Sequence, residues 1–514
     1  MVIPSKTHTK EKYIIFLFAL TTFLLHFFVN LSGAYGYFRD ELYYIACSEH
    51  LAWGYVDHPP LSIYILKLSR LVFGESLVAI RIVPALCISA TLIFTGLIAR
   101  EMGAALKGIS IACFALSLSI IHIAFGGFYN MNPIDLLIWS IAFYIVVRLI
   151  KTKKPHLWIY LGFVLGLGLL NKISVLFLGA GIGVGLILTE ERKWLATRWP
   201  YLCGCIAIVI FLPYVIWNIN HDLAHLEFIK NASGQKYASR DRSDFISEII
   251  LLLNPINFPI WVSGLLALIF YNKLKTFRFL GWVFITVFLI LIFNKTSKGE
   301  YLAAAVSILF ASAGVYFEQF FKRPVLRFIV YAYLVILFLV SALVVPAALP
   351  IMPVENFISY SKAIGLSPTS NEKKEMGELS QFYADMFGWE DKASDVAKVY
   401  NSLSPSDKEK CAIYSSNYGR CGAIDFFGKK YGLPAAIGNH NNYWIWGPRN
   451  YTGEVMIILG GSMEDHADDF ESCELAGASD CDYCMPYEDN LNIFLCRGLK
   501  KPLKEVWNEE KHYD

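Results

Sequence analysis

The sequence is short of charge. Asp, Glu, Lys and Arg make up 17% of its 514 residues, where soluble domains carry about a quarter. A chain so poor in solvated side chains cannot cover an ordinary water-soluble surface. Net charge is scarce too, because 45 basic against 43 acidic residues leave only +2. With no Lys/Arg block and no RNA-type aromatic motif, a nucleic-acid partner is excluded. Neither GxGxxG nor GKT/S is present, so Gly460-Gly461 at the end of EVMIILGG reads as a tight turn and not as a nucleotide cradle. Cys481 and Cys484 have zinc-like spacing in CDYC, but no second CxxC accompanies them. Gly/Pro-broken segments in matching positions of two halves, the mark of many transporters, are also missing.

What the chain has is apolar length. Hydrophobic residues reach 55%, and apolar runs recur at about 14–31, 78–99, 108–124, 133–148, 157–170, 173–188, 201–217, 256–271, 279–293, 301–317 and 328–346. Runs of roughly 20 such residues span membranes. The expected fold is therefore a polytopic α-helical membrane protein of about 11 spans. The first run follows Lys6, Lys10 and Lys12. It is too long for a signal peptide core and no cleavage site follows, so it reads as a retained span. The connections 100–107, 148–156, 190–199, 272–278 and 321–327 are short and basic. That places them, with the N-terminus, in the cytoplasm. An odd number of spans then leaves the segment after residue 349 outside. The weak joint is the pair 157–170 and 173–188, which as one broken span would reverse that placement.

From 350 to 514 the composition becomes that of a soluble domain, with 1–349 as the membrane domain and a first outer loop at about 32–77. ELSQFYADMFGWEDKASDVAKVYNSL reads as one or two amphipathic helices. CAIYSSNYG reads as a strand and turn, AIDFFGKKYG as a helix closed by Gly432, and EVMIILGG as a buried strand. Alternating strands and helices give a small α/β domain. Six of the 11 cysteines fall here: Cys411, Cys421, Cys473, Cys481, Cys484 and Cys496. An even cluster suits disulfides in an oxidising compartment, in a pairing that spacing does not settle.

Polar chemistry concentrates in residues 35–61, YGYFRDELYYIACSEHLAWGYVDHPPL. Ionisable groups this close to a bilayer are costly unless paired, hydrated or used. Asp40 and Glu41 suit the N-terminal dipole of a juxtamembrane helix over 40–53. A carboxylate at the outer boundary also suits a general base for an acceptor hydroxyl. Arg39 stands beside them. His58 precedes two prolines that set an extended exit, and it offers a donor for phosphate. The same outer side collects Asn130, Asn132 and Asp135 in YNMNPID, Lys172 between two apolar runs, Lys295, Lys298 and Tyr301 in NKTSKGEY, and Arg81 before the second span. Asn132 before Pro133 reads equally as a helix cap, and Lys172 as a snorkelling lysine. Carboxylates and cations on one face suit a phosphate-linked lipid substrate. The aromatic, Asn-rich NHNNYWIWGP (439–448) suits sugar contacts or a loop packed on the membrane domain.

At these residues the chain resembles bacterial membrane glycosyltransferases of the GT-C class. Within that class it is similar to the protein-O-mannosyltransferase-like family, which also holds the aminoarabinose transferases of lipid A. YFRDELYYIACSEHLAWGYVDHPPL carries the resemblance most specifically. YNMNPIDLLIW, NKISVLFL, KGEYLAAA, PVENFISYSKAIG, FYADMFGW, NYGRCGAIDFFGKKYGLP and GNHNNYWIWGP extend it over nearly the whole chain. The resemblance implies inverting transfer of a sugar from a polyprenyl-phosphate carrier, at the outer face of the cytoplasmic membrane, to a glycan, lipid or protein acceptor. Asp40 would be the catalytic carboxylate with Glu41 its neighbour, and His58 and Lys172 would bind the carrier phosphate. Asn132 stands where many relatives have an acidic residue, leaving Asp135 one turn deeper. KGEYLAAA stands in place of a Lys-x-Tyr-Tyr, proline-rich form. Both departures leave the sugar and any need for a divalent metal open. The rival reading is a transporter or flippase.

Overall fold

The computed structural model describes residues 6–33, 35–236, 241–370, 372 and 374–514. Residues 237–240 of the mixed-charge connection 218–255 therefore lie outside the description, as does Ala34 of the first loop. The described chain separates into two compact units. One comprises residues 1–32, 73–216 and 239–351, and the other residues 33–72, 217–238 and 352–514.

The first unit is helical, and all eleven apolar runs fall in helices. Among the described residues six helices are long and apolar enough to cross a membrane: Thr9–Ser32, Leu77–Glu101, Met131–Thr152, Trp199–Asn220, Asn272–Phe293 and Pro324–Ala347. Two bent pairs, Arg242–Leu252 with Pro255–Phe270 and Gly299–Ala305 with Ser307–Lys322, raise the number to 8 if each is one span. The other apolar runs make helices of 10–17 residues, Leu106–Ser117, Leu157–Leu169 and Val175–Leu188. The expected 11 spans are thus not confirmed: six to eight among the described residues pass by length and composition. The reason is that hydropathy measures apolar length, whereas breaks such as 170–174 cut that length into short pieces.

Small residues let these helices touch. A Cβ on Gly108 would sit 2.7 Å from the Gly314 carbonyl, and one on Gly314 would sit 2.3 Å from that of Gly108. Such contacts replace the hydrophobic drive that lipid removes. Buried amides add hydrogen bonds: Asn257 donates to the Ala115 carbonyl at 2.8 Å, and Asn254 to the Ser341 hydroxyl at 2.7 Å. Four of the five basic connections meet at one end of this unit. Glu101 lies 3.6 Å from Arg148 and 2.9 Å from Lys151. Lys153 pairs with Glu191, and Lys107 sits 4.7 Å over the Phe321 ring.

The second unit holds the small sheet, ordered β1-β2-β4-β3 from β1 (Cys411–Tyr414), β2 (Val455–Leu459), β3 (Phe470–Ser479) and β4 (Leu491–Leu499). β1 and β2 are parallel and the other pairs antiparallel. All five residues of β2 are buried, as its uninterrupted apolar run requires. The helix Tyr418–Phe427 follows β1 and leads to Gly432 at φ 72°, and Gly460 and Gly461 turn the chain after β2 with φ of 104° and 84°. The amphipathic stretch is two helices, Gln381–Ala384 and Trp389–Ser402.

β3 is an edge strand, held to β4 by a Cys473–Cys496 disulfide across paired positions. Cys411, Cys421, Cys481 and Cys484 stay free thiols. The even count therefore corresponds to a single bridge, because Cys411 and Cys421 are buried as small apolar side chains. The bridge closes a loop of 23 residues, for which chain entropy gives roughly 3 kcal/mol. Replacing both cysteines with Ser is expected to lower the stability of this unit by about that amount. Denaturant unfolding of both proteins, with and without reductant, measures it. Wild type should fall to the variant's value only when reduced.

Candidate active site

The helix Arg39–Glu49 begins with two carboxylates in its first turn, where the helix dipole favours them. They do different work. Glu41 is fully buried and accepts the backbone N–H of Phe38 at 2.8 Å, satisfying a donor the helix start leaves open. Asp40 turns outward with its side chain 32% exposed. It accepts a hydrogen bond of 2.9 Å from the Tyr418 hydroxyl. Burial raises the Tyr418 phenol well above its ordinary value, so it stays a donor. Asp40 is thus an aimed carboxylate with one face open to a reactant.

Arg39 is enclosed. Its guanidinium lies 3.5 Å from Asp40, 3.2 Å from Glu372 and 3.5 Å from Asp385, and it donates to the Tyr487 hydroxyl at 3.1 Å. It organises carboxylates around Asp40. Three carboxylates cannot all be neutralised by one cation, and the most buried should keep a proton. That is Asp385, at 2% exposure. Burial pushes its carboxyl up to about 7, against the pull of Arg39 and with help from Glu372 and Asp40. The folded chain then binds a proton that the unfolded chain releases near pH 3.9. Stability from this group is present below pH 4 and is lost as pH rises to about 7. Asp385→Asn is expected to remove this slope, which thermal unfolding between pH 4 and 7 checks. Parallel curves for the two proteins would overturn the assignment.

His58 lies at 1% exposure with its Nδ1 3.0 Å from the Pro59 carbonyl. Its ring packs 4.5 Å from Tyr44 and 5.0 Å from Tyr55, and its Nε2 is 3.8 Å from Asp57. Asp57 in turn accepts from the Tyr43 hydroxyl at 2.9 Å. Asn442 takes the backbone N–H of Val56 at 2.8 Å. NHNNYWIWGP therefore packs on the first loop. Tyr418, Asp385, Glu372 and Asn442 are the residues that sequence reasoning did not assign. The stretches that hold Tyr418, Asp385 and Asn442 were visible, that of Glu372 was not, and the partners of all four lie hundreds of residues away.

The first unit gathers the other predicted residues at its opposite loops. Lys172, between Leu157–Leu169 and Val175–Leu188, donates to Asn132 Oδ1 at 2.6 Å and sits 4.7 Å over the Tyr301 ring. Asp135 is buried nearby, 3.4 Å from the Ser174 hydroxyl and in electrostatic reach of Lys172. Lys298, half-buried, faces the same lysine. The cap of Met131–Thr152 is Asn130, whose side chain accepts the Asn132 N–H at 2.8 Å. This corrects the cap reading of Asn132 and frees its amide for Lys172. Arg81 is buried in Leu77–Glu101, in its second turn.

The architecture has a solved counterpart. ArnT from Cupriavidus metallidurans, bound to undecaprenyl phosphate, superposes with a TM-score of 0.62 at 12% identity, covering 93% of this chain and 97% of that one. At that identity the likeness shows a shared fold. In sequence, residues 57–217 match the model of the dolichyl-phosphate-mannose-protein mannosyltransferase family. A lipid A galacturonosyltransferase of Rhizobium johnstonii is 24% identical over 277 residues, 53% of this chain and 58% of its own length. An undecaprenyl phosphate-α-4-amino-4-deoxy-L-arabinose arabinosyl transferase of Pseudomonas savastanoi is 25% identical over 219 residues, 38% of this chain and 40% of its own. The chain thus spans about half the length of the curated relatives it matches.

Proposed function

We propose that this protein transfers a sugar from a polyprenyl-phosphate carrier to an acceptor hydroxyl of a cell-envelope glycan, lipid or protein, with inversion at the anomeric carbon. The observation that carries the reading is Asp40, outward-facing, held by Tyr418 and flanked by an enclosed Arg39. In a single displacement the acceptor oxygen bonds to C1 as the C1–O bond to phosphate breaks, through an oxocarbenium-like state. Asp40 takes the acceptor proton. The departing polyprenyl phosphate needs cations and not a protonating acid; His58 is the candidate in the unit that holds Asp40, and Lys172, Lys298 and Arg81 are the candidates in the first unit. Glu41 anchors the turn that aims Asp40.

One relative is a lipid A galacturonosyltransferase, which makes an envelope lipid the first acceptor to test. The proposed setting is the bacterial cytoplasmic membrane, with the N-terminus inside and residues 350–514 outside. Meeting of the basic connections at one end of the first unit supports one cytoplasmic side. The test uses purified full-length protein in liposomes with a radiolabelled panel of polyprenyl-phosphate sugars, and follows release of free polyprenyl phosphate. Turnover with one donor is expected. Donor-independent movement of a lipid or solute, with no turnover, would favour the flippase instead.

A further inference from the structure

In the second unit two distant segments are tied by their backbones. His440 and His512 form a parallel bridge. The Asn441 N–H donates to the His512 carbonyl at 2.8 Å, and the His512 N–H to the Asn439 carbonyl at 3.0 Å. Asn441 is held at φ 49°, in the left-handed region, a conformation that surrounding contacts must maintain. The neighbouring Tyr513 is buried against Val56, Trp217 and Ala224, and its carbonyl accepts from Asn231 at 2.9 Å. Both histidines are therefore presented by fixed backbone.

Their side chains meet one carboxylate. Asp514 Oδ1 lies 2.9 Å from His440 Nε2 and 3.1 Å from His512 Nε2. The three donor atoms fall within 4.8 Å of one another. A four-coordinate ion with bonds of about 2.0–2.1 Å holds its ligand atoms roughly 3.3 Å apart, so small side-chain shifts suffice. Two imidazoles and a carboxylate are the donors of borderline transition metals, and they leave a position for water or substrate. His440 is buried while the His512 side chain is 47% exposed. The cluster has a closed wall and an open side.

We propose that His440, His512 and Asp514 bind a divalent transition metal ion of the zinc type. The Tyr418 ring lies 4.6 Å from that of His440, and Tyr418 donates to Asp40. An ion here is therefore coupled to the carboxylate on which the proposed transfer rests, although its binding is independent of that reading.

The test is equilibrium dialysis of the chelator-treated full chain against Zn2+, with metal content read by mass spectrometry and Co2+ substitution by visible absorption. One ion per chain is expected, with a four-coordinate Co2+ spectrum. His512→Ala, at a half-exposed position, and Asp514→Asn should weaken binding by more than the roughly 10–100-fold that outer-shell changes cost. Cys481→Ser should leave it intact. Binding that survives both site variants, or is lost in Cys481→Ser, would overturn the proposal, as would binding of Mg2+ in preference to Zn2+. Each outcome stands whether or not the protein turns over a sugar donor.

Discussion

Asp40→Asn is expected to lower sugar transfer by about 10²–10⁴-fold, the usual contribution of a positioned general base. The change is nearly isosteric, and the new amide oxygen still accepts from Tyr418, so thermal unfolding should stay within about 0.5 kcal/mol of wild type. Contrast with Glu41 makes the result informative. Glu41→Gln alters a fully buried acceptor of the Phe38 N–H, so its cost should fall on stability. The two variants, assayed for polyprenyl phosphate release and for unfolding temperature, should separate along these two axes. A well-folded Asp40→Asn protein that works at the wild-type rate would remove Asp40 from the chemistry.

Lys172→Met is expected to have the second largest effect, and it has two parts. A charged hydrogen bond to a phosphate contributes about 1.5–3 kcal/mol, which is roughly a 10–150-fold loss in donor affinity. The same substitution strands Asp135, whose buried carboxylate interacts with this ammonium. An uncompensated buried charge costs about 3–5 kcal/mol. Adding Asp135→Asn should therefore restore stability without restoring donor affinity. Measuring KM for the donor and the unfolding temperature on the single and double variants resolves the two. If the double variant recovers both, Lys172 serves the fold alone.

The residues differ in how openly the sequence displayed them. Apolar helices and the order of the small domain's elements were legible, because burial repeats locally along a helix or strand. The exposed Asp40 and the Lys172–Asn132 face were legible because costly polar groups stand out beside apolar runs. Tyr418 and Asp385 were not assigned, since an ordinary tyrosine or aspartate gains its role only from a partner far away in the chain. The cap at Asn130 in place of Asn132 shows a smaller limit. Two asparagines two residues apart offer the same cap chemistry, and only backbone geometry separates them. Cysteine number likewise did not tell which thiols were near enough to join.

The unit that carries Asp40 is assembled from the first outer loop, a middle piece and the last 163 residues (352–514). Val56 and Asn442, joined by a hydrogen bond, are 386 positions apart. At translation rates of about 5–20 residues per second, the first loop waits roughly 20–80 s for that partner. During that time the proposed catalytic carboxylate has neither Tyr418 nor its enclosing charges. On the proposed reading, the surroundings of Asp40 are complete only once the final segment has folded back onto the first loop.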